Sequence, residues 1–156
     1  MKVFISYGDA SDQITALRLQ ALGAVNGLTV YVPPAFTRQS VPPFLDPEVA
    51  QKLNESEVVL GVVGMGLTEA CRRELNAGLG LRKTMIVMAY PAFASQLQPY
   101  FGSSVVVIDP ASPGEAEIGI VGHLKTIHAQ QSAKTALLAL GTLALGLLIL
   151  APADRS

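Results

Sequence analysis

Glu74 is the residue around which chemistry can be built in this chain. It falls in Leu67-Thr68-Glu69-Ala70-Cys71-Arg72-Arg73-Glu74-Leu75-Asn76-Ala77-Gly78-Leu79, whose apolar spacing predicts a helix. On such a helix Leu67, Ala70, Cys71, Glu74, Leu75 and Gly78 share one stripe, so the glutamate sits among small and apolar residues. Glu69 has Arg72 and Arg73 three and four positions on, and a surface ion pair accounts for it. Glu74 has no such neighbour on its own helix. A carboxylate pressed against an apolar face is desolvated and its pKa rises. Burying it unpaired is costly enough to mark a site. The competing reading is a glutamate at the stripe's edge that reaches solvent, and the pattern alone does not separate the two.

The rest of the chain must carry that helix to a second wall. Lys2-Val3-Phe4-Ile5-Ser6 is a short β-branched and aromatic run closed by Tyr7-Gly8-Asp9, which predicts a buried strand ending in a polar turn. Strand-like runs recur at Leu28–Val32, Val58–Val63, Met85–Ala89 and Val105–Ile108, with helical stretches between them. A first helix is expected from about Asp12 to Ala24, with Ile14, Leu17, Leu22 and Val25 toward the core. Asp46-Pro47-Glu48 has the form of a helix start, and a last helix is expected from about Gly114 toward His128. This alternation implies an α/β fold, a five-stranded parallel sheet with helices on both faces. By analogy its flavodoxin-like order is 2-1-3-4-5, which sets the first and third strands side by side at the switch point.

A pocket at that point has Glu74 on one wall and Ser6, Tyr7, Gly8 and Asp9 on another. Gly64, in Gly64-Met65-Gly66 after the third strand, allows close backbone approach but is a weak phosphate signal alone. Asp9 reads equally as a cap or a ligand contact. The proline-rich run Pro33–Pro43 is expected to be neither helix nor strand. With Phe36 and Arg38 on it, it is a candidate lid or contact surface, or else a stiff connection with no role. Ala92–Ser103 reads as a plain connecting loop.

Charge and composition narrow the classes of function. The chain has 156 residues and a net charge of -1, with Lys and Arg dispersed and no Trp, so it lacks the electrostatic footprint of a nucleic-acid binder. One cysteine, Cys71, excludes an internal disulfide, and it reads as a packing residue. His123 and His128 lie five apart, the wrong spacing for a shared metal, and no metal site is expected. The opening apolar run is too short for a signal peptide. Mean hydropathy is nonetheless high, at +0.42, and the excess lies at the C-terminus. Residues 135–151 are uncharged and apolar on every face. As a helix they reach roughly 25 Å, near the lower limit for a bilayer. The expected organisation is a domain over residues 1–130 and a helix over 133–152. That helix is either a single-pass membrane anchor with the domain on the cytoplasmic side, or buried by a partner or another copy.

At these residues the chain resembles a Toll/interleukin-1 receptor (TIR) domain of bacterial type. The points of similarity are Val3-Phe4-Ile5-Ser6-Tyr7, Leu28-Thr29-Val30-Tyr31-Val32 and the loop after it in the place of the family's BB loop. Glu55-Ser56-Glu57 leading into Val58–Val63, then Arg73-Glu74-Leu75 and Lys83–Val87, continue the match. The resemblance implies a flavodoxin-like fold and, in many members, cleavage of NAD at the nicotinamide–ribose bond, with NAD as substrate, no cofactor, and the glutamate matching Glu74 catalytic. Some active members carry an aromatic residue shortly before that glutamate, where this chain has Ala70 and Cys71, and an acidic residue after the second strand, where it has Pro33-Pro34. The resemblance equally implies self-association through the domain, and many members are interaction modules without catalysis. A nucleoside deoxyribosyltransferase-like enzyme, with a comparable fold and a nucleophilic glutamate, is the third reading. Under the enzymatic reading, Glu74→Ala is expected to abolish turnover and leave the domain folded.

Overall fold

Runs rich in β-branched residues form five strands, β1 (Lys2–Tyr7), β2 (Thr29–Tyr31), β3 (Val58–Val62), β4 (Thr84–Ala89) and β5 (Val105–Val107). Between and after them lie α1 (Ala10–Val25), α2 (Pro47–Glu55), α3 (Glu69–Gly80), α4 (Pro91–Phe101) and α5 (Pro113–Ala139). The computed structural model describes residues 1–38, 45–64 and 66–139, with side chains as far as 133. All strand pairs are parallel, in the order β2-β1-β3-β4-β5. That is the doubly wound order expected by analogy, and it brings the ends of β1 and β3 together, with Tyr7 opposite Val62.

Alternation along the strands divides the core between two faces. Phe4, Val59, Met85, Val87 and Ala89 pack with Val49 and Leu53 of α2, Cys71 and Leu75 of α3, and Ala94 and Leu97 of α4. Met88 faces the other way, toward Ile14 and Thr15 of α1 and Pro113 of α5. On this second side Arg18 of α1 grips the buried Glu117 of α5, with Nη2 donating to Oε1 at 2.6 Å and Nε to both oxygens at 3.0 and 3.2 Å.

Helix α1 turns a different face to the sheet than its large apolar residues predict. Ile14 is 58% exposed, Leu17 48% and Val25 84%, and Leu22 is half-buried. The buried stripe is Asp12, Ala16, Leu19 and Gly23. Close approach decides the matter: a Cβ on Gly23 would stand 2.7 Å from Val30 Cγ2, so the smallest residues meet the strand and the larger ones lie outside. The stretch read as a plain loop, Ala92–Ser103, is mostly α4. Pro91 starts it where a missing N–H costs nothing, and Ala94 and Leu97 give it a buried face that Pro99 obscured in the sequence. The proline-rich run also departs from expectation, since Ala35–Arg38 forms a 3-10 turn; residues 39–44 lie outside those described. Asp46 caps α2 as expected, its Oδ1 accepting from Glu48 N at 3.0 Å and Val49 N at 3.3 Å.

The chain falls into two compact units, Met1–Val121 and Gly122–Ser156. Helix α5 starts where expected and continues past His128. Among the described residues no helix is long and apolar enough to cross a membrane. From residue 140 onward the expected anchor lies outside them. For the tight seat of α1, Gly23→Ala is expected to destabilise the fold by about 1–2 kcal/mol, against the helix-propensity gain of about 1 kcal/mol that alanine would otherwise bring. Urea midpoints check this, and the penalty should shrink when Val30→Ala is added; a Gly23→Ala protein more stable than wild type would contradict the close approach.

Candidate active site at the carboxyl end of β1

Helix α3 begins at Thr68, whose Oγ1 accepts from Cys71 N at 3.4 Å. Its buried residues are Ala70, Cys71, Glu74, Leu75 and Gly78, the stripe that the spacing predicts, with Leu67 half-buried just before the helix. Glu74 is 2% exposed, which removes the reading of a glutamate in solvent. Glu69 pairs on the surface with Arg72, at 3.8 Å.

Among the described residues none on α3 pairs with Glu74, as its spacing predicts, and its partners come from other elements. Ser6 Oγ donates to Glu74 Oε1 at 2.6 Å, and Arg38 Nη1 donates to the same oxygen at 2.8 Å. Arg38 Nη2 donates to Oε2, completing a two-pronged ion pair. The partner stands 36 positions away on a loop, where helical spacing cannot reveal it. Its remaining contacts fix it further. Nη1 also donates to the carbonyl of Tyr7 at 3.0 Å, and Nε to Thr37 Oγ1 at 3.2 Å. The guanidinium lies over the Tyr7 ring, 4.7 Å from its centroid. Tyr7 Oη in turn donates to the Pro33 carbonyl at 2.7 Å, which pins the start of the loop to the end of β1.

Burial pushes the Glu74 carboxyl above the usual carboxylate range, with the Arg38 and Ser6 hydrogen bonds pulling against it. Cys71 Sγ lies 3.2 Å from Ser6 Oγ, and burial drives its thiol up to about 12. It is therefore a neutral packing group beside the carboxylate and not a thiolate nucleophile.

A cleft of about 310 Å³ opens beside this pair, lined by Tyr7, Gly8, Asp9, Ala10, Gln13, Ala35, Arg38 and Thr68. Four of the expected contact residues, Tyr7, Gly8, Asp9 and Arg38, line it together. Asp9 caps α1, its Oδ1 accepting from Asp12 N at 3.0 Å and Ser11 Oγ at 2.8 Å, and it also borders the cleft. Glu74 is not in the lining: Arg38 borders the cleft and the carboxylate lies beyond the guanidinium. Ser6 is fully buried and meets Glu74 rather than the cleft. Phe36 is 64% exposed on the 3-10 turn and is not in the lining. Gly64 lies behind, with φ +26°, where a Cβ would fall 2.6 Å from Asp12 Oδ1.

Asp12 is the residue of this region that sequence reasoning missed. It is packed against Gly8 and Gly64 between the ends of β1 and β3, and burial, with Asp9 nearby, lifts its carboxyl from 3.8 to about 6. Its signal was its place in the small-residue stripe of α1, one turn before Ala16. Among the described residues no group of three or more His, Cys, Asp or Glu could hold a metal. No protein-family model matches this chain, and no curated protein matches it.

The folded state holds the Asp12 proton at a pH where the unfolded chain has already released it, so this residue costs stability as pH rises from about 4 to about 6. Allowing for its partial contact with water, Asp12→Asn is expected to gain about 1 kcal/mol over wild type at neutral pH. The gain should vanish toward pH 4. Urea unfolding across this range measures it, and a difference independent of pH would contradict the assignment.

Proposed function

We propose that this chain is a TIR-type enzyme that cleaves NAD at the nicotinamide–ribose bond, with Glu74 as the catalytic carboxylate. The observation that carries the reading is a buried glutamate, 2% exposed, held by Ser6 of β1 near the switch-point cleft. The nicotinamide ring is cationic while bound to the ribose and departs as a neutral base with the bonding electron pair, so the departing group needs no acid. The transition state has oxocarbenium character, and a fixed carboxylate beside the ribose stabilises that charge. Ser6 orients the carboxylate, Tyr7 and Thr68 border the bound substrate, and Arg38 must withdraw for Glu74 to meet the ribose. Water, or the adenine of the same molecule, completes hydrolysis or cyclisation.

Self-association and membrane anchoring through residues 135–151, with the domain on the cytoplasmic side, complete the proposal. Confinement to a surface raises the local concentration of a domain that works in clusters. A part in bacterial defence against phage follows from the resemblance alone. One observation favours a second reading, a non-catalytic interaction module: the carboxylate is engaged by Arg38 and does not line the cleft. In that case Phe36 and the proline-rich loop are the contact surface.

The ion pair changes the choice of test variant. Glu74→Ala strands a buried guanidinium, a loss of about 3–5 kcal/mol where the charge stays buried, so an unaltered fold is no longer the expectation for it. Glu74→Gln keeps the shape and an acceptor for Arg38. Nicotinamide release from NAD by clustered wild type, with a roughly thousand-fold drop in Glu74→Gln, is the expected result. Undiminished release by Glu74→Gln removes the residue from its role, and no release from clustered wild type favours the interaction module.

A further inference from the structure

The groups that meet the Arg38 guanidinium have a property in common. Both oxygens of Glu74 accept from it, as does the Tyr7 carbonyl. Thr37 Oγ1 has its proton engaged with the Pro34 carbonyl at 2.6 Å, so it too presents a lone pair. The remaining wall is the electron-rich face of Tyr7. Three of these four walls, Glu74, the Tyr7 carbonyl and the Tyr7 ring, belong to α3 and β1 and not to the turn that bears Arg38. Together they form a cage of acceptors around a flat, positively charged group, with edge contacts to a carboxylate and a carbonyl and a face contact to an aromatic ring. The cage borders a cleft of about 310 Å³, ample for a small ligand. Its present occupant is borne by a four-residue 3-10 turn and by neither the sheet nor α3.

We propose that Arg38 is a built-in competitor for this site: its guanidinium fills a subsite shaped for a planar organic cation between Glu74 and the Tyr7 ring, and a ligand enters only as Arg38 withdraws. The ligand class is a flat cation with N–H donors at its rim, such as an amidinium or a pyridinium that carries a carboxamide. Identifying that cation with the nicotinamide ring of NAD rests on the NAD-cleaving reading above, whereas the preference for planar cations does not. Wild type therefore binds such ligands with an affinity reduced by the fraction of time that Arg38 is out. Removing the guanidinium lifts that reduction.

The test is a thermal-melting titration of the full chain, wild type and Arg38→Ala, at constant ionic strength. The probes are 1-methylnicotinamide and methylguanidinium (planar cations), methylammonium (a compact cation) and nicotinamide (planar and neutral). Arg38→Ala is expected to bind both planar cations at least tenfold more tightly than wild type and to melt several degrees higher when saturated. Methylammonium and nicotinamide should have little effect, and Glu74→Gln added to Arg38→Ala should abolish the response. If Arg38→Ala fails to fold alone, recovery of a cooperative melt with planar cations, and not with methylammonium, supports the proposal equally. Equal affinities in wild type and variant, or no preference for planar cations, overturn it. Planar-cation binding without NAD cleavage keeps the subsite and rejects the enzyme; NAD cleavage without such binding does the reverse.

Discussion

Taking a carboxylate and a guanidinium out of water together costs several kcal/mol for each ion unless their geometry is good and their other hydrogen-bonding sites are filled. Arg38 and Glu74 meet those conditions, with side chains only 8% and 3% exposed. The pair is two-pronged, Ser6 supplies a further donor to the carboxylate, and the Tyr7 carbonyl and ring take up the rest of the guanidinium. Because such a pair tolerates little displacement, it dictates where its neighbours lie. It ties the loop after β2 to the end of β1 and to the middle of α3, three segments distant in sequence. Tyr7 reinforces the tie from both ends, through its ring under Arg38 and its hydroxyl on Pro33.

The same interaction governs what the site can do. A carboxylate gripped on both oxygens by a guanidinium is oriented, but it is also occupied. In the proposed enzyme, chemistry at Glu74 depends on an exchange of cations: one borne by Arg38, the other brought by a ligand. That exchange connects the catalytic reading with the interaction reading, because Phe36 and Arg38 share one 3-10 turn. Asp12 adds a third acid to the region after Glu74 and Asp9, lifted to about 6 and packed against Gly64.

Much of this was legible in the residues. The strands announced themselves by β-branched runs, α2 by Asp46-Pro47, and the buried face of α3 by its spacing, with Glu74 conspicuous within it. What could not be read depended on contacts between distant segments. Arg38 lies on a loop that has no periodicity, so nothing in the local pattern matched it to Glu74. Apolar size is a poor guide to burial in α1, because the close contact of Gly23 with Val30 selects the face with small residues. That same choice of face carried Asp12 inward. Pro99 hid α4, since a proline late in a short helix reads as a break.

The central claim is that Arg38 and Glu74 form a buried, mutually dependent pair, and a double-mutant cycle measures it directly. Urea unfolding of wild type, Arg38→Met, Glu74→Ala and the double variant gives the coupling energy. A value of about 3 kcal/mol or more is expected for a buried pair in which each single change strands a charge. A value below about 1 kcal/mol, the range of exposed surface pairs, would contradict the account.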